Sequence, residues 1–194
     1  MTPAITDQHN DGGGQSSVDS YSVWAIPPDD VSNRIKKVML GLRDEFGGGP
    51  EIEPHIPMVG SIRMTREEAL NKFKTISQLQ PGLISAFVAR VDDVVTRAPY
   101  YQCVCLRIHN SQSDVYMFRH NFNYITSIYA VFPYVSLLYA NLTDEERKKA
   151  QEKVSVLDET IASLSFPITR VALYKINYKD KTLKSWEKIA EYPL

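Results

Sequence analysis

Pro54-His55-Ile56-Pro57-Met58-Val59-Gly60-Ser61-Ile62-Arg63-Met64-Thr65-Arg66-Glu67-Glu68 and Pro133-Tyr134-Val135-Ser136-Leu137-Leu138-Tyr139-Ala140-Asn141-Leu142-Thr143-Asp144-Glu145-Glu146 follow one plan. Each has a proline, a run of strand formers, a short turn, and a Thr-x-x-Glu that opens a helix. One residue order used twice indicates an internal repeat, with two similar halves around a cleft.

Upstream of the first copy, Tyr21-Ser22-Val23-Trp24-Ala25 reads as a strand ending at Pro27-Pro28. Asp29 or Asp30 is placed to cap the next helix, in which Val31, Ile35, Val38, Met39, Leu42 and Phe46 share a face. Gly47-Gly48-Gly49-Pro50 ends it. Glycine-rich loops hold phosphate at helix starts, not at helix ends, so this one reads as a linker.

After the first copy, Leu70, Phe73 and Ile76 give the capped helix a buried stripe, and Pro81-Gly82 breaks the chain. Residues 83–108 read as two long strands bent around Pro99, with Tyr100 to Leu106 rich in strand formers. Asn110 to Ser113 forms a turn leading to a short helix through Met117 and Phe122. The second copy opens a long helix with Ala150, Val154, Leu157, Ile161 and Leu164 inward. Its charged residues from Glu145 to Lys153 form a solvated face. Phe166 to Tyr174 and Leu183 to Ala190 close the chain as a hairpin. The fold class is α+β: two antiparallel sheets facing a central cleft, with helices outside. Residues 1–20 form a flexible tail containing Gly12-Gly13-Gly14, and residues 21–194 one bilobal domain.

The 194 residues are 43% hydrophobic, enough for one large domain with a substantial core. Lysine and arginine number 22 against 23 acids, so bulk nucleic-acid binding is not expected, though a local pocket for one phosphate is allowed. No run approaches the roughly 18 apolar residues of a membrane span. The first twenty residues contain Asp7, Asp11 and Asp19 without lysine or arginine, unlike a secretory signal or a transit peptide, and a cytoplasmic address is expected. Cys103 and Cys105 are too close in sequence for an ordinary disulfide and read as free thiols. As a metal site they need further ligands, for which His109 is the local candidate. His109 and His120 read as surface or loop residues. Tyr100, Tyr101, Tyr124 and Tyr129 read as packing, because basic residues do not interleave with them densely.

Side chains two apart on a strand share a face, so His-x-Ser/Thr aims an imidazole and a hydroxyl at one ligand. Two such strands bring two imidazoles to one phosphate. One can take a proton from water while the other protonates the leaving oxygen, and the hydroxyls hold the phosphoryl oxygens. The chain resembles the two-histidine (2H) phosphoesterase superfamily, most closely the plant cyclic phosphodiesterases. The resemblance runs from Tyr21 to about Tyr192. It rests on Tyr21 to Ala25, Pro54-His55 with its capped helix, Gln102-Cys103-Val104, Ser136 to Tyr139 with Leu142 to Glu146, and Lys181-Thr182-Leu183 before Trp186.

The resemblance implies a bilobal fold with the motifs on inner strands, and metal-independent chemistry without a cofactor. It implies as substrates ADP-ribose 1″,2″-cyclic phosphate and nucleoside 2′,3′-cyclic phosphates. By the same resemblance His55 is the first catalytic histidine and Ser136 the second, phosphate-binding hydroxyl. Trp24 and Tyr139 would line the groove as a stacking surface. Each motif departs from the family pattern: Pro57 stands where the first hydroxyl should be, and Tyr134 where the second histidine should be. A phenol, with a reference pKa of about 10, is a poor base near neutrality. Proline suits only an edge or bulge within a sheet.

These departures frame three functions. The first is a degenerate cyclic phosphodiesterase that binds a cyclic nucleotide or ADP-ribose 1″,2″-cyclic phosphate with little or no hydrolysis. The second is an active metal-independent enzyme using His55 with Tyr134. The third is a non-catalytic module whose cleft or outer surface binds a protein partner, with Tyr134 filling the cleft.

Overall fold

The computed structural model of the protein describes residues 17–76, 85–109, 122 and 132–194. Strand β1 spans Val18–Ala25. It begins three residues before the predicted Tyr21, inside the stretch read as tail, because Val18, Asp19 and Ser20 pair with Thr65, Met64 and Arg63 of strand β2, Ile56–Thr65. Helix α1, Asp29–Phe46, buries the predicted stripe of Val31, Ile35, Val38, Met39 and Leu42. Its cap differs from expectation. Pro28 stands at the N-cap without a side-chain bond, and Asp29 and Asp30 fall in the first turn, where their charge complements the helix dipole.

The helix ends at Gly47 (φ 70°) and Gly48 (φ 120°). A Cβ on Gly48 would lie 2.6 Å from the Tyr139 carbonyl oxygen, and the Gly49 N–H donates to that oxygen at 2.7 Å. The glycine run is therefore a close backbone contact with the second repeat, more than a linker.

Helix α2, Arg66–Lys74, and helix α3, Asp144–Leu157, both open with the predicted capping box. In each, the threonine N–H donates to the glutamate carboxylate at 2.8 Å and the threonine hydroxyl accepts the glutamate N–H. Helix α3 stops before Ile161. Asp158 takes Arg34 at 2.6 and 2.8 Å and the Thr160 N–H at 3.1 Å, a local bonding pattern that competes with the helix. Leu157 is thus exposed, while Ile161 is buried in the separate 3-10 turn Ile161–Ser163.

Strands β3, Phe87–Thr96, and β4, Val104–Ile108, are shorter than predicted. Between them Tyr100–Gln102 forms a 3-10 turn, closed by Gln102 N–H donating to the Pro99 carbonyl at 2.9 Å. The expected break at Pro81-Gly82, and the turn and helix across 110–121, lie outside the described residues. Strand β5 is Tyr134–Leu138. The single strand predicted over Phe166 to Tyr174 is two strands, β6 (Ser165–Ile168) and β7 (Arg170–Ile176). β6 pairs with β3, whereas β7 pairs with β1 and with β8, Glu187–Pro193. The chain changes sheets at Thr169.

The sheet orders are β2-β1-β7-β8 and β5-β4-β3-β6, all neighbours antiparallel. The predicted α+β class with two antiparallel sheets and outer helices is the observed one. Among the described residues both motif strands, β2 and β5, stand at the edges of their own sheets rather than inside them. They nevertheless approach each other, so an edge of one sheet meets an edge of the other. No helix among the described residues is long and apolar enough to cross a membrane.

Candidate functional site

His55 lies one residue ahead of β2 and is 6% exposed. Its Nδ1 sits 2.7 Å from the Glu53 carbonyl oxygen. A carbonyl only accepts, so Nδ1 carries the proton and Nε2 keeps the lone pair. The ring stacks on Trp24 with centroids 3.5 Å apart and planes 9° apart. Tyr174 stacks on Trp24 at 3.7 Å and 19°. Two rings this close and this parallel cannot share one face of an indole, so the order is His55–Trp24–Tyr174. Trp24 Nε1–H donates to Ser22 Oγ at 2.9 Å, and that hydroxyl donates to the Val59 carbonyl at 2.6 Å.

Burial lowers the His55 pKa to about 4, although the hydrogen bond to Glu53 and that residue's charge act the other way. The imidazole is therefore neutral at pH 7 and resists protonation. The unfolded chain has the ordinary value near 6.5, so between pH 6.5 and pH 4 it binds a proton that the folded protein does not. Stability should therefore fall by about 3 kcal/mol as pH drops through that window. Urea midpoints should show this slope in the wild type and a shallower one in His55→Gln; equal slopes would place the titration elsewhere.

In the second repeat, the Tyr134 hydroxyl accepts from Gln102 Nε2 at 3.2 Å, and its ring meets Phe132 edge-on at 6.5 Å. Burial raises its pKa, so the phenol keeps its proton across the neutral range. The Ser136 hydroxyl donates to the Tyr101 carbonyl at 2.6 Å and lies 3.8 Å from Cys105 Sγ. Its proton is directed to backbone. Burial pushes the Cys105 thiol up to about 12, and both cysteines are free and buried. Arg97, which sequence reasoning missed, has no carboxylate partner among the described residues. Its guanidinium is 5.5 Å from the Phe132 ring centroid and acts electrostatically on Tyr134 and Cys105. A solitary Arg97 in a strand sequence carries no signal of this placement.

Pro57 pairs across from Trp24 on edge strand β2, beside a register shift, the setting a strand proline requires. It provides neither a hydroxyl nor an N–H. Trp24 and Tyr139, read as a stacking surface, are 2% and 7% exposed. Both faces of Trp24 are covered by protein rings, and Tyr139 packs against Tyr100 and Tyr101.

The more accessible rings are Trp186, Tyr101 and Tyr178. Trp186 lies 5.9 Å from Trp24 and 5.9 Å from Tyr101, and Tyr101 lies 5.0 Å from Tyr178. Tyr101 Oη–H donates to the Tyr178 carbonyl at 2.8 Å, and Lys181 Nζ lies 4.6 Å from the Tyr100 ring centroid. The β7–β8 connection thus fastens the first sheet to the turn before β4. Lys181 and Trp186 were singled out in the sequence; Tyr178 was not, since a lone tyrosine in a polar stretch carries no pattern.

His109 is exposed and lies 3.1 Å from Asp92, while His120, Tyr124 and Tyr129 are outside the described residues. No three His, Cys, Asp or Glu side chains come together as a metal site among the described residues. A surface depression of about 470 Å³ at the start of α2, lined by Thr65, Arg66, Leu70 and Asn71, includes none of the site residues.

The chain is 41% identical over 175 residues to the cyclic phosphodiesterase of Arabidopsis thaliana, covering 89% of this chain and 93% of that protein. No family model matches. Among solved structures, E. coli LigT complexed with ATP superposes with a TM-score of 0.57 at 12% identity, covering 92% of this chain and 99% of that one. LigT complexed with 3′-AMP gives 0.57 at 10% identity over the same shares. The protein TT0787 of Thermus thermophilus gives 0.58 at 11% identity, covering 90% and 97%. At these identities the solved structures establish the fold.

Proposed function

The chain belongs to the cyclic phosphodiesterase family, and from that premise we propose that it is a nucleotide-phosphate-binding member with little or no hydrolytic turnover. Its ligand class would be nucleoside 2′,3′-cyclic phosphates or ADP-ribose 1″,2″-cyclic phosphate.

Opening a cyclic phosphate needs two proton movements. A base takes a proton from water as its oxygen attacks phosphorus, and an acid gives one to the departing ring oxygen. His55 stands in the first role, neutral with Nδ1 held, but burial lowers its pKa to about 4 and makes it a weak base. The observation that carries the reading is Tyr134 in the second position. Its phenol is fixed against Gln102 and made less acidic by burial, so it is a weak source of a proton for the leaving oxygen. It remains a hydrogen-bond donor, and with Arg97 it gives the second half a surface that favours an anion. The bond of Ser136 to Tyr101 and the loss of a hydroxyl at Pro57 weaken the phosphoryl clamp further. The ATP, 3′-AMP and NADP+ complexes of LigT are complexes of a protein of this fold and support a nucleotide as the ligand class.

The test is a titration of the ¹⁵N-labelled protein with a nucleoside 2′,3′-cyclic phosphate and with ADP-ribose 1″,2″-cyclic phosphate, with phosphorus NMR on the same samples. Shifts at His55 and Tyr134 without ring-opened product are expected. Turnover abolished by His55→Ala would replace this reading with an active enzyme, and no binding of either compound would favour a protein-interaction role.

A further inference from the structure

We propose that Glu53, gripped by Tyr174 and Lys188, is a positioning residue for His55: it clips both ends of the His55–Trp24–Tyr174 stack and thereby selects the nitrogen His55 leaves open.

Its main-chain carbonyl accepts the His55 Nδ1–H at 2.7 Å, at one end of the three-ring stack. Its carboxylate accepts the Tyr174 hydroxyl at the other end and lies 3.2 Å from Lys188 Nζ. One residue therefore touches both outer rings, while Trp24 fills the space between. Residues 51–55 belong to no helix or strand, so no regular ladder holds this carbonyl in place. The side-chain anchors do so instead.

Those anchors are themselves held. Lys188 bonds Glu191 at 2.7 Å, Glu191 accepts from Arg170 at 3.2 Å, and Arg170 donates to Asp29 at 2.7 Å. The chain of charges runs from β8 through β7 to the start of α1. Burial acts against ionisation of Glu53, yet the bonds from Tyr174 and Lys188 hold its carboxyl below the usual range. Burial and Glu53 together raise the Tyr174 phenol, which stays a donor. An ionised acceptor facing a phenol and an ammonium makes the strong kind of hydrogen bond. If Glu53 rotated away, the His55 ring would lose the acceptor that keeps its proton on Nδ1, and Nε2 would no longer be reserved as the base. The geometry requires no turnover, so the inference holds whether or not the protein hydrolyses a cyclic phosphate.

The experiment is a long-range ¹H–¹⁵N correlation of the histidine rings in the full-length protein at pH 7, with His55 assigned by His55→Gln. The wild type should show His55 wholly as the Nδ1–H tautomer. Tyr174→Phe keeps the stacked ring and removes only the bond to Glu53. It should lose that exclusivity, the two nitrogen shifts moving toward a common average, and Glu53→Ala should do the same. Glu53→Gln, which still offers an oxygen to Tyr174, should retain the wild-type pattern. Tyr192→Phe, in a ring pair with Phe73 away from His55, serves as a control and should change nothing. Should Glu53→Ala fail to fold, Tyr174→Phe decides. Unchanged His55 shifts in Tyr174→Phe would overturn the proposal and leave the backbone alone responsible.

Discussion

Combining Pro57→Thr with Tyr134→His should raise the rate of cyclic-phosphate opening by about 10²–10⁴-fold, the usual contribution of one member of an acid–base pair. The scaffold is in place for the gain. His55 is neutral with Nδ1 occupied, and Ser136 lies on the same strand two residues from Tyr134, so both side chains share a face. An imidazole, with a reference pKa of about 6.5 against about 10 for a phenol, exchanges a proton more readily near neutrality.

Position 57 also tolerates the change, since Pro57 lies on an edge strand and threonine is a good strand former. Tyr134→His alone should recover most of the rate. The hydroxyl at 57 adds a share that need not be additive with it. Phosphorus NMR of a nucleoside 2′,3′-cyclic phosphate reads the product directly. In the doubly substituted protein, a further His55→Ala should abolish the gain. If the wild type already matches the double variant, His55 and Tyr134 are a working pair and the binding-only reading fails.

Trp24→Ala should destabilise the protein by about 3–5 kcal/mol, the range for deleting a buried large aromatic. Trp24 is 2% exposed, touches a ring on each face, and satisfies its N–H within the sheet. The cavity left in its place opens one face of His55. Burial is the dominant cause of that residue's low pKa, so the value should rise from about 4 toward 6.5 in the variant. Urea unfolding measures the first effect, and histidine ring shifts against pH measure the second. A full loss of stability with an unmoved His55 pKa would show that other groups, not Trp24, keep water from the imidazole.

Much of the site was legible because its signals are local. The two Thr-x-x-Glu boxes connect atoms three residues apart, and both formed as read. His55, Tyr134 and Ser136 could be picked out because they stand at the motif positions of the family that the chain resembles, positions a strand's alternation puts on one face. Trp24 and Tyr139, expected to line the groove as a stacking surface, are both buried in the fold. Arg97 and Glu53 carried no local pattern, and a lone Arg or Glu usually reads as surface.

Residue order alone was enough to place the starts of the two capped helices and the apolar strand faces. These follow from spacings of two to four residues, over which backbone geometry dictates contact. The departures at Pro57 and Tyr134 were visible only against the pattern of the family that the chain resembles. Only folding could split Phe166 to Tyr174 between two sheets and bring the two motif-bearing edges together. Folding likewise gives the Ser136 proton to Tyr101 and brings Glu53 to Tyr174, partners 35 and 121 residues apart. Such pairings depend on which surfaces the whole chain buries together, and no short window of residues contains that information.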